Sequence, residues 1–581
     1  MTIRPSLARA ALACAFVLGL VPLLSWPPSS FAEPPCALQG LIDEALATST
    51  AGRGEATVVP IDATCSVETT VELRTRPPGA GNDTVYVTLT GEPVVRGETL
   101  TGPMFVVRSG FGLILRGIAV DGGGADREPR GESEPMIRVD TAAFLTVGDG
   151  AALTDHAGRA IVNHGVTTVV GPDALISRNT LTVRPGDKAP GGAAILTESH
   201  GTTVIEGGVI ADNLVRVAPS EGSAQAPNVA GGAVMSIGTT RVVGGRFEAN
   251  SFDVSESSSF GGAIAAVMGT DGSAGTVTVS GASAAAAQFV GNSATRGGAI
   301  AALSIPEEGG SGVTLAGGVF AGNIASADGG ALYINGGSAE ITTGAVIGSD
   351  DAPNQAARAG RSGVVNASGV LALSGAPVFA GGNGITAATE DVAPTVTGPL
   401  SGGPASVPLE SIPYFGAPGG RGEVVAARVG EVYATLSPAD AEALTQADPV
   451  MELALGDAGA VIVARYRSLP VTYHGLAEAT NSPENPESVT YISPTAELRP
   501  PSEPDRQHFV GWFDAPEGGN AVAAIAQGTT APVDVWARFV PTYRVTYRSP
   551  AEDQVSAMPV DPGEYYVGLP ASVLADAPFR P

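Results

Sequence analysis

The densest group of residues able to do chemistry lies between 121 and 134. It holds Asp121, Asp126, Glu128, Glu132 and Glu134, with Arg127 and Arg130 among them. Two carboxylates flanking a glycosidic bond can hydrolyse it, and carboxylates with arginine and Ca²⁺ can support β-elimination from a uronate. The chain carries 58 acidic and 31 basic residues, so such a run also reads as a solvated loop, and that reading is adopted here and for Asp350-Asp351. The histidines His156, His164, His200, His474 and His508 are not at zinc-ligand spacing, and each is expected in a turn or on the surface. Lys188, the only lysine, follows Asp187 and not glycine, which excludes a P-loop, and no Gly-x-Ser-x-Gly elbow is present. No catalytic, cofactor-binding or metal-binding residue is therefore assigned, and no cofactor is expected. A net charge of −27 repels nucleic acid and anionic membranes.

The elements that would position any site are set by a repeat. Gly-Gly-Ala recurs at 191, 231, 261, 297 and 329, with gaps of 40, 30, 36 and 32 residues. An asparagine trails each of the first four copies: Asn213, Asn250, Asn292 and Asn323. Between them runs apolar-x-Gly-Gly-x-Phe/Ile-x-x-Asn, with Ile210 before Asn213, Phe247 before Asn250 and Phe320 before Asn323. Phe289–Asn292 and Ile176–Asn179 are degenerate copies. Periods of this size mean stacked repeats. Strand-like segments at 57–61, 71–74, 85–90, 104–107, 113–120 and 136–139 are short, β-branched and bounded by turn residues.

If each block winds onto the one before, strands pair in parallel ~4.8 Å apart and inward side chains form columns. Such a narrow core suits 78 glycines and an aromatic content of only 5%. The expectation is an all-β chain, a right-handed parallel β-helix of roughly ten rungs, its hand set by the crossover preference. Glycine pairs would supply positive-φ corners. Asn179, Asn213, Asn250, Asn292 and Asn323 would form an internal ladder, themselves in the left-handed conformation. Phe247, Phe289 and Phe320 would stack as a second column. Segments 214–227 and 271–287 would bulge as loops, and few aromatics would project outward.

The chain is read in six parts. Residues 1–32 look like a secretory signal, with Arg4 and Arg9, an apolar run at 10–24 and a Ser30-Phe31-Ala32 cleavage site. That run falls short of the ~20 residues that span a bilayer, so the chain would not be membrane-spanning once it is removed. Removal discards two arginines and no acid, which takes the charge from −27 to −29. Residues 33–55 would hold a capping helix with Leu38, Leu41, Ile42 and Ala45 on one face. Next come the β-helix at 56–400, its C-terminal cap at 401–469, a small module at 470–541 and an incomplete second module at 542–581. Open sheet edges at both ends require such caps. Cys36 and Cys65 form a bridge or stay as two buried thiols; the sequence leaves both open. In the module, Trp512, Tyr473 and Trp536 are expected inside a small core.

The Gly-Gly-Ala-Ile and Phe-x-x-Asn pairing resembles the polymorphic outer-membrane protein (Pmp-like) repeats over 158–383. Phe247–Asn250, Phe289–Asn292 and Phe320–Asn323 carry the full motif. The resemblance implies a β-helical surface protein. Residues 470–540 are similar to an InlB B-repeat (Listeria–Bacteroides repeat) module, on Val471-Thr472-Tyr473, Phe509-Val510-Gly511-Trp512, Gly518-Gly519 and Val535-Trp536. That resemblance implies a β-grasp-like unit, strung as a spacer or binding element on bacterial cell walls. Val545-Thr546-Tyr547 starts a second copy. Together these readings imply an exported surface or envelope protein, a monomeric rod acting as adhesin or stalk. Its partner would be a glycan or protein on a host or neighbouring cell. The alternative is a secreted polysaccharide lyase or glycoside hydrolase on the same scaffold. Neither a membrane-spanning tail nor a wall-sorting motif is read in the chain, so no anchor is expected.

Overall fold

Segments of three to seven residues, rich in valine, isoleucine and threonine and punctuated by glycine, are too short for helical turns and leave each strand's hydrogen-bonding edges open. Stacking successive coils satisfies those edges. The computed structural model describes residues 36–50, 54–124, 134–219, 227–254, 257–281, 286–304, 310–401, 407–411, 423–446, 450–456, 459–550 and 558–571. Within these the chain is a right-handed parallel β-helix whose strands form three long sheets of 15, 11 and 13 strands. The 11-stranded sheet contributes one strand per rung, from Cys65–Val67 to Val378–Phe379, close to the ten rungs expected.

Register is kept from rung to rung. Ile210, Phe247, Phe289 and Phe320 are paired in sequence, and the column continues through Ile347 to Phe379. The Phe247 and Phe289 rings stack at 4.8 Å and 3°, and Phe289 and Phe320 at 4.6 Å and 10°. One continuous cluster of buried apolar side chains runs from Leu38 to Tyr466. Each fully buried Val, Leu, Ile, Phe or Met side chain in it contributes ~1.5–3 kcal/mol.

Several expectations are corrected. The segment 113–120 is two strands, Phe111–Leu115 and Ala119–Asp121, separated by a corner where Gly117 has φ 55°. The loops expected at 214–227 and 271–287 contain the strands Leu214–Val217 and Thr276–Gly281. The first of these belongs to a fourth side. It is built from a three-stranded stack (Thr180–Val183, Leu214–Val217, Ser251–Asp253) and a five-stranded one (Val229–Ala230, Ser259–Phe260, Ser293–Arg296, Ile324–Asp328, Gln355–Ala356). Leu181, Val183, Ala193, Val215 and Val229 fill the lobe beneath it.

Both ends are covered. The helix Leu38–Thr48 buries Leu38, Ile42 and Leu46, spaced four apart, on the first rung. Leu41 is 46% exposed and does not belong to the packed face. The Gln39 side chain imitates a strand: its Nε2 donates to Glu72 O at 3.0 Å and its Oε1 accepts Glu72 N–H at 2.7 Å. Cys36 and Cys65 are joined by a disulfide with their Cα atoms 5.2 Å apart, within the usual window. At the far end, Val461–Tyr466 pairs antiparallel with both Glu423–Val429 and Met451–Leu455, which ends the parallel stack. A short helix, Pro438–Ala443, starts on a Ser437–Asp440 capping box.

Beyond the cap, Leu469–His474 lies parallel to the first part of the long strand Val533–Thr546, and Gln507–Phe513 lies antiparallel to it. The same long strand runs on past this pairing, and Val560–Tyr566 lies antiparallel to its last part. Tyr543 faces Tyr565 there, and Leu469 faces Val489 in the earlier part. Among the described residues no helix is long and apolar enough to cross a membrane.

Candidate functional site

The asparagines stand above one another at the turn after the 11-stranded sheet. Asn179, Asn213, Asn250, Asn292 and Asn323 are all 0% exposed. Nδ2 of Asn213 donates to Oδ1 of Asn250 at 3.0 Å, Asn250 to Asn292 at 2.9 Å, and Asn292 to Asn323 at 3.0 Å. Each Oδ1 also accepts the backbone N–H of the asparagine one rung below, as Asn292 does from Asn250. Nδ2 reaches back as well, from Asn292 to the carbonyl of Phe247 at 3.0 Å. Every polar atom of the buried amide is thereby used.

Asn354 and Asn383 extend the ladder, at 2.9 and 2.8 Å. The motif hid them because Phe379-Ala380-Gly381-Gly382-Asn383 carries one residue more than Phe320–Asn323, and the turn before Asn354 is longer still. The left-handed conformation expected of the asparagines belongs to the residue before each: Arg178, Asp212, Ala249, Gly291 and Gly322 have φ between 53° and 64°. The asparagine instead keeps the backbone geometry that aims its amide along the stack.

At the lower end His156 occupies the ladder position, and its N–H donates to Asn179 Oδ1 at 3.2 Å. It is fully buried, not at the surface, and its Nε2 meets the carbonyl oxygen of Glu134 at 2.9 Å. Glu134 also lies 3.7 Å from the buried Arg96. Asp121 accepts the Gly123 N–H in a turn. The other acids of that run, Asp126, Glu128 and Glu132, lie outside the described residues, as do Arg127 and Arg130. His164 is half-buried, while His200 and Lys188 are exposed. Asp350 accepts the Gly381 N–H at 3.1 Å. Among the described residues no three His, Cys, Asp or Glu side chains are placed to hold a metal ion.

A different group converges where the fourth side turns into the 13-stranded sheet. The residue just before each Gly-Gly corner rises in one column, so that Phe260 pairs with Arg296 and Arg296 with Asp328. The carbonyl of Arg361 continues it, accepting the Gly329 N–H at 2.9 Å. The corner itself demands glycine twice. Gly261, Gly297 and Gly329 have φ between 67° and 69°, and a Cβ on Gly262 or Gly298 would meet the next rung's backbone at 2.2 or 2.4 Å. Asp328, 3% exposed, accepts from Arg358 at 2.9 Å and Arg361 at 3.2 Å, with Arg296 at 3.8 Å.

Tyr333, on the outer surface of the adjoining sheet, lies 6.0 Å from the Phe260 ring. The Arg296 guanidinium sits 5.9 Å from Phe260 and 5.8 Å from Tyr333. Burial, above all, pushes the Tyr333 phenol above its ordinary value, so it stays neutral. These two rings are among the few aromatics placed on the outer face of the rod. They escaped notice because the rings come from different repeats, yet the position preceding Gly-Gly-Ala marks Phe260, Arg296 and Asp328 directly.

In the module, Trp512 is buried at 3% exposure, and its Nε1 donates to Arg499 O at 3.0 Å. Tyr473 meets its ring edge-on at 5.1 Å. Trp536, expected in the core, lies half-buried on the opposite face, stacked on His474 at 4.8 Å. His474 in turn contacts Asp534 at 2.7 Å, and Arg538 lies 3.8 Å over Phe513. His508 is half-buried, 2.8 Å from Glu503 and stacked on Tyr566. No family model, curated protein or solved structure matches the chain.

Proposed function

We propose that this is an exported cell-surface or envelope protein that works as a stiff binding stalk. The β-helix is the shaft and the displayed surface, and the InlB B-repeat-like module is the spacer that follows it. The observation that carries this reading is the single apolar cluster running without a break from Leu38 to Tyr466. A shaft with one core, in-register columns and covered ends has no internal hinge, so it transmits position and force along its length. A further support is the Val533–Thr546 strand shared by both module copies, which joins them without a flexible linker. The Pmp-like and B-repeat motifs point the same way. An excess of acids keeps such a rod soluble and apart from anionic surfaces.

The test is immunogold labelling of intact cells of the producing organism, together with binding of the purified chain to glycan and protein arrays. External label and saturable binding of a defined partner are expected. Label confined to the cell interior would overturn the reading.

A further inference from the structure

We infer that the corner column formed by Phe260, Arg296, Asp328 and Arg361, with Tyr333 and Arg358 beside it, binds a carboxylate-bearing glycan. The inference rests on the binding-stalk reading and names the ligand class of that stalk.

Charge is the first argument. Three guanidiniums surround the one carboxylate they touch, in a chain where acids outnumber bases nearly two to one. One positive charge would neutralise Asp328, so two are in excess. The next acid along the stack, Glu410, is occupied by the N–H and hydroxyl of Ser362 and by the N–H groups of Gly363 and Gly384. The arginine side chains remain open to solvent, at 26%, 60% and 23% exposure for Arg296, Arg358 and Arg361. Each guanidinium has five donors; Arg358 and Arg361 each give one to Asp328, and Arg296 gives one to Ser258 Oγ. The others suit a second carboxylate, which the planar fork binds in bidentate fashion.

Shape is the second argument. The half-buried Phe260 ring offers flat apolar surface beside the charges, against which the C–H face of a sugar ring packs, with Tyr333, 8% exposed, 6.0 Å from it. Arg296, 5.9 and 5.8 Å from the two rings and hydrogen-bonded to Ser258 Oγ, is fixed before a ligand arrives, which lowers the ordering cost of binding. Arg296 and Arg361 stand two rungs apart in the column, on either side of Asp328, at a rung spacing of ~4.8 Å.

Calorimetry on the full chain, with a uronate oligomer as probe, tests this. Controls are the methyl-esterified oligomer, a sulfated glycan and poly-glutamate. Saturable binding of the uronate is expected. It should weaken at least tenfold in Arg358→Gln, where Arg361 still holds Asp328 and the fold is kept, and stay as in wild type in the distant Arg216→Gln. Esterification should abolish it. Absence of saturable uronate binding, or equal binding by Arg358→Gln, overturns the inference. Poly-glutamate or the sulfated glycan binding as tightly as the uronate overturns the assignment to a carboxylated sugar. Should another partner bind the rod without regard to Arg358, the stalk reading stands and this site falls. An intracellular location removes the stalk reading whatever the calorimeter reads.

Discussion

Asn250 gives both its backbone N–H and its side-chain Nδ2 to a single atom, Oδ1 of Asn292, at 3.1 and 2.9 Å. One oxygen thus satisfies two buried donors of the rung below. Replacing Asn292 by alanine leaves the Asn250 N–H without its acceptor and Nδ2 with only the Ile210 carbonyl, at 2.8 Å, in a site from which water is excluded. At ~1–3 kcal/mol for the orphaned N–H and less for the half-satisfied Nδ2, Asn292→Ala is expected to cost about 2–4 kcal/mol in urea unfolding. Asn179→Ala, at the ladder's lower end, should cost less, since it removes the acceptor of one N–H, that of His156.

The aromatic column has a middle member. Phe289 touches rings on both sides, whereas Phe247 has a ring on one side and Ile210 on the other. Phe289→Ala should lose ~3–5 kcal/mol and Phe247→Ala somewhat less, because it gives up one stacked pair and not two. Thermal melting of the two variants side by side checks the order.

Reducing the Cys36–Cys65 bridge is expected to lower stability by ~3 kcal/mol, and the effect should be local to the first rungs. Hydrogen exchange should speed up at Val71–Leu73, where Gln39 covers the strand edge, and stay unchanged at Phe320. Uniform acceleration along the rod would contradict a separate cap.

Asp440 is fully buried in the C-terminal cap. Burial raises its pKa, but the N–H of Leu400, the hydroxyl and N–H of Ser437 and the Tyr433 phenol together outweigh that and hold the carboxyl below its ordinary value. A lowered folded-state pKa contributes stability that is complete above the unfolded value of ~3.9 and is lost as pH falls through the folded one. Asp440→Asn should therefore be less stable than wild type at pH 7, with the gap closing below about pH 4. Urea midpoints across pH measure it.

The winding of the chain was legible because stacking forces the same residue types to recur where the backbone turns. Phe247–Asn250 and Phe320–Asn323 announce themselves since their turns have equal length. Asn354 and Asn383 do not, because a turn can lengthen without moving the side chain that closes it. The fourth side was read as loops because Leu214–Val217 and its neighbours are only partly apolar, one face being solvated. The arginine corner joins side chains from four different rungs, and the register that unites them is a property of the stack. Trp536 was misplaced for a related reason. In a strand, alternation sends Trp536 and Val535 to opposite faces, and hydrophobicity alone does not say which face is covered.

The central claim is that one thin cross-section is repeated in register. Arg246 and Gln288 are direct partners on neighbouring rungs, facing outward beside Phe247 and Phe289, and Val319 is one rung further on. Parallel partners at ~4.8 Å lie within reach of a disulfide, whereas positions two rungs apart do not. Cysteines at 246 and 288 should cross-link quantitatively on mild oxidation, and cysteines at 246 and 319 should not, as read by mass spectrometry of the digested protein. Failure of the first pair, or equal linking by the second, would contradict the stacked register on which everything above depends.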